Sequence, residues 1–408
     1  MFPPHGGPPE YDGVGHSSCY FELGAASRAH PDRVHSTLQY AKVNIMFKVR
    51  INPHWEITRG NGEPLDTAVL LSLLRAIDES GSIARAAQTV GLSYRYAWGL
   101  LREAEALFGS SLMQTGRGRG TQLSALAEKL IWADRRVAAR LSPTLDSLAS
   151  ELETELGKTV GAAPAMIRLD ASHGFAVATF LRQATESGLP IDLRYRNSTD
   201  AVAALSRGES DLAGFHVPTG EFEAPSAERF GKWLDARSHR LIHLAYRTQG
   251  LFVNPGNPLG IHSLSDLSRA DVRFVNRQVG SGTRMLLELM LSQFEINPAT
   301  INGFENTEFT HSAVAAFIAS GMADVGFGVQ TAAERFKLDF IPLARERYFF
   351  AVNAESLDQP GMRQVIDVVR SNSFRDAVHQ LAGYDATDTG EILTLSQAFN
   401  AAPRKQAA

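Results

Sequence analysis

The stretch FVNRQVGSGTR, residues 274–284, carries an apolar strand into a glycine-serine-threonine turn, and MLLELMLSQF, residues 285–294, continues it as a helix. A strand that feeds GSGT into a helix aims backbone N–H groups, two hydroxyls and a helix N-terminus at one point. The first-turn N–H groups have no intrahelical acceptor, and the helix dipole adds roughly half a positive charge there. Such a turn is an anion site. Its donors are Arg277, Ser281, Gly282, Thr283 and Arg284.

Around this turn, strands and helices alternate from Met166 onward. Candidate strands are 166–171, 191–195, 211–216, 241–246, 251–253, 272–276, 323–327, 340–343 and 347–352, with helices at 175–187, 200–207, 283–294, 312–320 and 360–371. That alternation predicts parallel sheets covered on both faces. A crossover near Leu251–Pro258 and a return strand near Tyr348 predict two lobes joined by two strands, with ligand in the cleft between them. Ser172, His173 and Gly174 open a helix at Phe175 in the first lobe, and Thr310, His311 and Ser312 open another in the second. A single N-capping hydroxyl is usually structural. Hydroxyl-bearing helix starts in both lobes, one glycine-flanked and preceded by an arginine, point to a shared anion site.

Residues 276–284 contain no Asp or Glu. Burying the P–OH of a protonated phosphate without an acceptor costs about 1–3 kcal/mol. A donor-only loop therefore favours a fully deprotonated tetrahedral dianion such as molybdate, tungstate or sulfate, although Asp170 near the first loop could accept such a proton.

A second pattern begins at Thr67. Leu70, Leu73, Leu74 and Ile77 share a helical face, Ser80-Gly81-Ser82 ends that helix and caps the next, and Ile83 to Val90 forms a short second helix. Gly91-Leu92-Ser93 is a turn, and the third helix buries Ala97, Leu100, Leu101, Ala104 and Phe108. Arg95, Gly99, Arg102 and Ala106 then fall on the opposite stripe, which suits close approach to a DNA major groove. Leu112–Thr115 and Thr121–Leu123 read as a hairpin around the basic turn Gly116–Gly120, whose Arg117 and Arg119 can lie along phosphates. From Arg85 to Arg119 there are five arginines against Glu103 and Glu105. Ahead of this unit, Phe47, Val49 and Ile51 alternate as a strand, with Trp55 and Ile57 on a second.

The segment GSIARAAQTVGLSYRYAWGLLREAEALFG with its glycine-rich wing resembles the DNA-binding domain of molybdate-responsive regulators of the ModE type, related to LysR-type regulators. The S-Y-x-x-A-W match is Ser93, Tyr94, Ala97 and Trp98. The resemblance implies that Ser93, Tyr94, Arg95 and Tyr96 approach bases or phosphates, flanked by the wing. The tandem small molybdate-binding barrels of that family do not follow here. Residues about 165–385 instead resemble the periplasmic-binding-protein-like (type II) domain that follows such DNA-binding domains in some regulators. R-x-x-x-S-G-T, as Arg277, Ser281, Gly282 and Thr283, is also similar to the oxyanion motif of tungstate- and molybdate-binding transport proteins. That likeness implies Ser172, Arg277, Ser281 and Thr283 as ligand contacts, with His173, Arg284, His311 and Ser312 beside them. The threonine-rich first-lobe loop of those transport proteins is replaced here by Ser172-His173-Gly174.

Leu126, Leu130, Val137 and Leu141 form an apolar stripe on a helix leaving the wing; Ser142-Pro143 is expected to break it, and Leu145, Leu148, Leu152 and Leu156 resume the stripe. Such a seam meets either its twin in a homodimer, as two DNA half-sites require, or its own sensor domain. The expected organisation is an extension over 1–45 that reads as disordered, a winged helix-turn-helix over 46–123, a linker and dimerisation helix over 124–156, a ligand-sensing domain over 165–385 and a tail over 386–408. Met46 is the expected natural start, which an intact mass of the native protein would decide. The fold class is thus an α+β winged helix-turn-helix followed by an α/β two-lobed domain.

Composition sets outer bounds. The chain has 408 residues, 44% hydrophobic and 21% charged, which fits two or three globular domains. A formal charge of −4 gives no bulk pull toward nucleic acid, so DNA affinity must be local. The single cysteine, Cys19, excludes intrachain disulfides, CxxC pairs and thiolate zinc sites. No apolar run is long enough to cross a membrane and residues 1–45 lack a secretion signal, so a cytoplasmic location is expected. There is no GxSxG elbow, no GxxxxGK[ST] loop and no HExxH pair, and His239, His243 and His262 are scattered. The expectation is a non-enzyme without metal or cofactor that binds double-stranded DNA and a small oxyanion effector. The alternatives are a molybdenum-cofactor-related binding protein or enzyme, because a similar domain is attached to molybdenum-cofactor biosynthesis proteins, or a regulator that senses a different small anion.

Overall fold

The computed structural model describes residues 47–60, 62–115, 120–159 and 166–399. The N-terminal unit comprises β1 (Glu56–Ile57), β2 (Leu65–Asp66), α1 (Thr67–Ser80), α2 (Ile83–Thr89), α3 (Tyr94–Phe108), β3 (Met113–Thr115) and β4 (Thr121–Leu123). Side-chain caps define its turns. Gly81 ends α1 in the left-handed region at φ 64°, Ser82 caps α2 by accepting from the Arg85 amide, and Ser93 caps α3 by accepting from the Tyr96 amide. Leu70, Leu73, Leu74, Ile77, Ala86, Ala97 and Leu101 make the core, as their periodicity requires. The expected strand over 47–51 does not form. Its amides have no partner strand, and that of Val49 donates instead to Glu153 Oε1 at 2.7 Å.

Helix α4 (Ala125–Thr159) leaves β4 and runs without a break, with Pro143 inside it. This corrects the expected interruption at Ser142-Pro143. An interior proline costs about 3 kcal/mol or more, in part because the carbonyl four residues earlier loses its donor. Here that carbonyl belongs to Ala139, and the Thr310 hydroxyl donates to it at 3.0 Å. Val137, Leu141, Leu148, Leu152 and Leu156 form an exposed apolar line along α4, while another face packs on the sensor domain.

The sensor domain is built on a mixed sheet of ten strands: eight follow the order β10-β9-β11-β8-β12-β7-β5-β6, and β13 and β14 complete the ten by pairing with β8. Lobe 1 holds β5 (Ile167–Ala171), α5 (Phe175–Glu186), β6 (Ile191–Tyr195), α6 (Ser198–Ser206), β7 (Leu212–Pro218) and α7 (Glu223–Phe230). The chain crosses on β8 (His239–Val253) into lobe 2, with β9 (Phe274–Arg277), α8 (Gly282–Gln293), β10 (Thr307–Glu308), α9 (His311–Ala319), β11 (Val325–Val329) and α10 (Gln330–Arg335). It returns on β12 (Asp339–Asn353), and α11 (Pro360–Arg370) and α12 (Asn372–His379) cover lobe 1. Strands are parallel within each lobe, as predicted, but β8 and β12 are antiparallel to each other and span both lobes. The expected strand pairs 241–246 with 251–253 and 340–343 with 347–352 are therefore two continuous hinge strands.

The expected tail from 386 is also corrected. Residues 384–398 form β13 (Tyr384–Asp385), β14 (Ile392–Leu393) and α13 (Leu395–Ala398), with Ala386 and Ala398 buried. They pair with β8 because its edge amides need acceptors: the His243 amide donates to the Glu391 carbonyl at 2.9 Å.

Candidate functional site

Four helices begin at the cleft, two from each lobe. The α5 start carries Ser172, His173 and Gly174, and α6 starts at Ser198 behind its N-cap Asn197. From lobe 2, Ser281 caps α8 by accepting from the Arg284 amide, and Thr310 caps α9 by accepting from the Ala313 amide. Four aligned helix dipoles therefore place partial positive charge around one volume. The lobes meet closely there. A Cβ on Gly282 would lie 3.5 Å from Ser198 Oγ and 3.6 Å from His216 Nδ1, ordinary contact distances, so α8 starts against lobe 1. Ser172 Oγ and Ser198 Oγ are both within hydrogen-bond distance of His216 Nδ1, at 3.3 and 3.4 Å.

Of the sequence-predicted contacts, Ser172, His173, Arg277 and Ser281 line one cleft of about 730 Å³ together with Asn197, Gln278 and Phe309. Ser281 keeps its hydroxyl proton free to donate, since the cap uses only its lone pair. Thr283 is buried at the back, where its hydroxyl accepts from Gln249 Nε2 at 3.1 Å. His311 is buried in the field of Arg277 and of Arg247 on β8, and Ser312 is half-buried in the first turn of α9. Arg284 is a correction. Its Nε donates to Glu288 at 2.8 Å, its Nη2 to Glu305 at 3.3 Å, and its guanidinium lies 4.8 Å from the Phe304 ring centre, so it points away from the cleft.

Arg277 dominates the electrostatics. Its side chain is buried, its Nη2 donates to the Phe309 carbonyl at 2.7 Å, and Nε and Nη1 have no hydrogen-bond partner among the described residues. Burial and the like charge of Arg247 hold its pKa down to about 9, so it stays charged at neutral pH. Burial first, then Arg277, pushes the His173 imidazole down to about 4; His216 and His311 are lowered as well, each by burial and by the two arginines. All three rings are neutral at pH 7 and can each present one N–H. The site is a positive centre ringed by neutral donors.

Sequence reading missed the hinge contribution. Arg247 and Gln249 on β8 and Glu346 on β12 form a buried network, with Glu346 Oε1 accepting from both Arg247 Nε and Gln249 Nε2. The donor-only description thus holds for 276–284 but not for the whole site, because Glu346 brings a carboxylate to its back. It is paired with Arg247, leaving Arg277 as the uncompensated charge. Asp170 is engaged by Arg196 at 3.5 Å. Polar residues in otherwise fully buried strands were the available signal for Arg247, Gln249 and Glu346. A further strand–cap–helix run at Tyr195–Ser198 was the signal for Asn197 and Ser198.

On the N-terminal unit, Ser93, Tyr94, Arg95, Tyr96, Gly99 and Arg102 are all exposed on α3 and its N-cap. Tyr94, Trp98 and Arg102 stack at successive turns: Trp98 Nε1 donates to the Tyr94 hydroxyl, and the Arg102 guanidinium sits 5.4 Å from the Trp98 ring centre. The expected hairpin forms, pairing Met113 with Leu123. Arg117 and Arg119 lie outside the described residues.

Residues 69–128 match the family described as bacterial regulatory helix-turn-helix protein, lysR family, and residues 180–370 match the PBP superfamily domain. The chain is similar to the uncharacterized protein YvgK of Bacillus subtilis (strain 168), 33% identical over 203 residues, 49% of this chain and 64% of that protein. It therefore spans about two thirds of that relative's length. It is also similar to the molybdenum transport protein ModE of Herbaspirillum seropedicae, 42% identical over 73 residues, 17% of this chain and 27% of that protein. Among solved structures, an OxyR mutant of Corynebacterium glutamicum with bound hydrogen peroxide covers 77% of this chain and 94% of its own at 16% identity, with a TM-score of 0.40.

Proposed function

We propose that this chain, a lysR-family regulatory helix-turn-helix joined to a PBP superfamily domain, is a DNA-binding transcriptional regulator whose cleft senses a tetrahedral oxyanion, molybdate or tungstate. It reads double-stranded operator DNA through α3 and the wing, as a homodimer joined along the exposed line of α4, in the cytoplasm. Among the described residues no helix is long and apolar enough to cross a membrane. The observation that supports the sensor reading is Arg277, a buried cation with unpartnered Nε and Nη1 set among four helix N-termini. A compact dianion answers that charge, and neutral imidazoles and hydroxyls replace its water shell. The metal in the oxyanion is inferred from two likenesses, the R-x-x-x-S-G-T run and the ModE similarity of the N-terminal unit.

Oxyanion binding closes the lobes and so changes how α4 and the reading heads are held. A ligand shifts that equilibrium only by its differential affinity for the closed form. The test is titration calorimetry with molybdate, tungstate, sulfate and phosphate in turn. Molybdate or tungstate is expected to bind tightest, with the heat lost in Arg277→Ala. Binding of none of the four would refute the oxyanion reading, and preference for phosphate would place Glu346 as acceptor of its proton and refute the metal assignment.

A further inference from the structure

Helix α4 is fastened to both lobes, and the fastenings fall on either side of Pro143. On lobe 2, Arg136 and Arg140 both reach the buried Glu308 carboxylate at 3.1 Å, and Trp132 stacks on Phe336 at 5.8 Å between ring centres. On lobe 1, the Leu193 amide donates to Ser150 Oγ at 2.8 Å and the Tyr195 amide to Ser147 Oγ at 3.0 Å. Between them Pro143, Thr144 and Ser147 line the same cleft that holds Arg277. Any change in the angle between the lobes must therefore be taken up within α4, and its weakest point is the turn where proline removes the intrahelical bond.

That turn is governed by one residue of lobe 2. The carbonyl that Pro143 leaves without a helical donor is that of Ala139, and Thr310 Oγ donates to it at 3.0 Å while accepting from the Ala313 amide at 2.9 Å. The next residue, His311, is buried with Nδ1 unpartnered and lies in the field of Arg277 and Arg247. We propose that Thr310 is a positioning residue that couples the cleft to the DNA-binding unit: occupancy at the α9 N-terminus shifts His311 and Thr310 together, and the hydroxyl sets the bend of α4 at Pro143. This rests on the reading of the cleft as the effector site and deepens it by naming the path of regulation. The path is short and physical. The turn of α4 at Pro143 is the element taken to have two arrangements, and it is biased by a hydrogen bond whose donor caps α9.

The experiment uses the full chain and two ways of closing the lobes. One is molybdate or tungstate. The other is independent of any ligand: Asn197→Cys with Gly280→Cys bridged by a bis-maleimide, because Gly280 faces the Asn197 side chain across the cleft, with the unbridged double variant as reference since Gly280 sits at φ 83°. Closure is expected to change DNA affinity by about fivefold or more, the lower end of typical allosteric coupling. With the lobes closed covalently or by saturating oxyanion, Thr310→Val should reduce that change to within about twofold, and Thr310→Ser, which keeps the hydroxyl, should restore it. Pro143→Ala, which returns an N–H to Ala139 inside the helix, should uncouple in the same way while raising thermal stability; this variant keeps the test alive if Thr310→Val folds poorly. An undiminished response in Thr310→Val or in Pro143→Ala overturns the proposal, as does a covalently closed protein whose DNA affinity is unchanged. Failure of every oxyanion to bind, with the covalent closure still acting through Thr310, would remove the ligand assignment and leave the coupling standing.

Discussion

Arg247 and Glu346 stand directly opposite one another in the antiparallel ladder of β8 and β12, and their side chains form an ion pair with exposures of 1% and 0%. The pair sits where the two hinge strands pass behind the cleft, so the charge balance of the site is set by the hinge and not by the loops. Removing one partner of a buried pair strands the other. Glu346→Gln is expected to lower unfolding free energy by about 3 kcal/mol or more. Chemical denaturation of the ligand-free protein measures it, and a loss below about 1 kcal/mol would mean that Arg247 finds another acceptor.

Arg277 should behave in the opposite way. It is a buried cation with no acidic partner among the described residues and one bond to the Phe309 carbonyl, so folding bears most of its desolvation. Arg277→Met is expected to leave the ligand-free melting temperature unchanged or raised while abolishing oxyanion binding. A melt and a titration on the same preparation separate the two effects. Destabilisation with binding retained would show that Arg277 is a structural cation.

The histidines give the site a pH signature. His173 titrates near 4 in the folded protein, and His216 and His311 are lowered too, whereas an unfolded imidazole titrates near 6.5. Between those values the unfolded chain binds protons that the folded state refuses. Stability is therefore complete above about pH 6.5 and is lost as pH falls toward 4. A bound dianion favours imidazolium and opposes the loss. Melting temperature should fall from pH 7 to about pH 5, and fall less with saturating molybdate. Binding near pH 5.5 should take up protons, read as a heat that depends on the buffer. Buffer-independent heats there would mean that no imidazole meets the anion.

On the DNA side, Arg95→Ala should weaken binding to a sequence selected from a random library and flatten its salt dependence by about one unit of slope if Arg95 meets a phosphate. Oxyanion affinity should not change. Equal affinity in the variant would refute the assignment of α3 as the reading helix.

Leu148 and Leu152 are 45% and 47% exposed in the middle of the apolar line on α4. Leu152→Asp places a charge in any seam formed there. Sedimentation equilibrium should show a shift toward monomer, with a parallel loss of DNA affinity; an unchanged oligomer would move the dimer contact elsewhere.

What could be read in the chain followed the range of the forces involved. Caps and periodicity act over a few residues, so Ser82, Ser93, Ser281 and the buried face of α3 were legible, and so was the strand–turn–helix run that begins at Phe274. Pro143 was misread because the donor that rescues its helix comes from Thr310, far away in sequence. Arg284 sits beside Thr283 in the motif, yet one helical step turns it toward Glu288 and Glu305. Arg247, Gln249 and Glu346 lay hidden because their meaning arises only when two strands pair across the hinge. The segment after 385 carried too little apolar periodicity to announce that it closes an edge of the sheet.

The carbonyl of Gly81, which ends α1, also accepts the Thr121 amide at 3.0 Å, and a Cβ on Gly120 would come within 2.9 Å of the same oxygen. One peptide group thereby ties the start of β4 to the end of α1. In the proposed dimer, an effector signal arriving through α4 would meet that tie first and would tilt or separate the two reading heads as units. Effector control should then appear as altered tolerance for the gap between half-sites, with the preferred bases within each half-site left as they were.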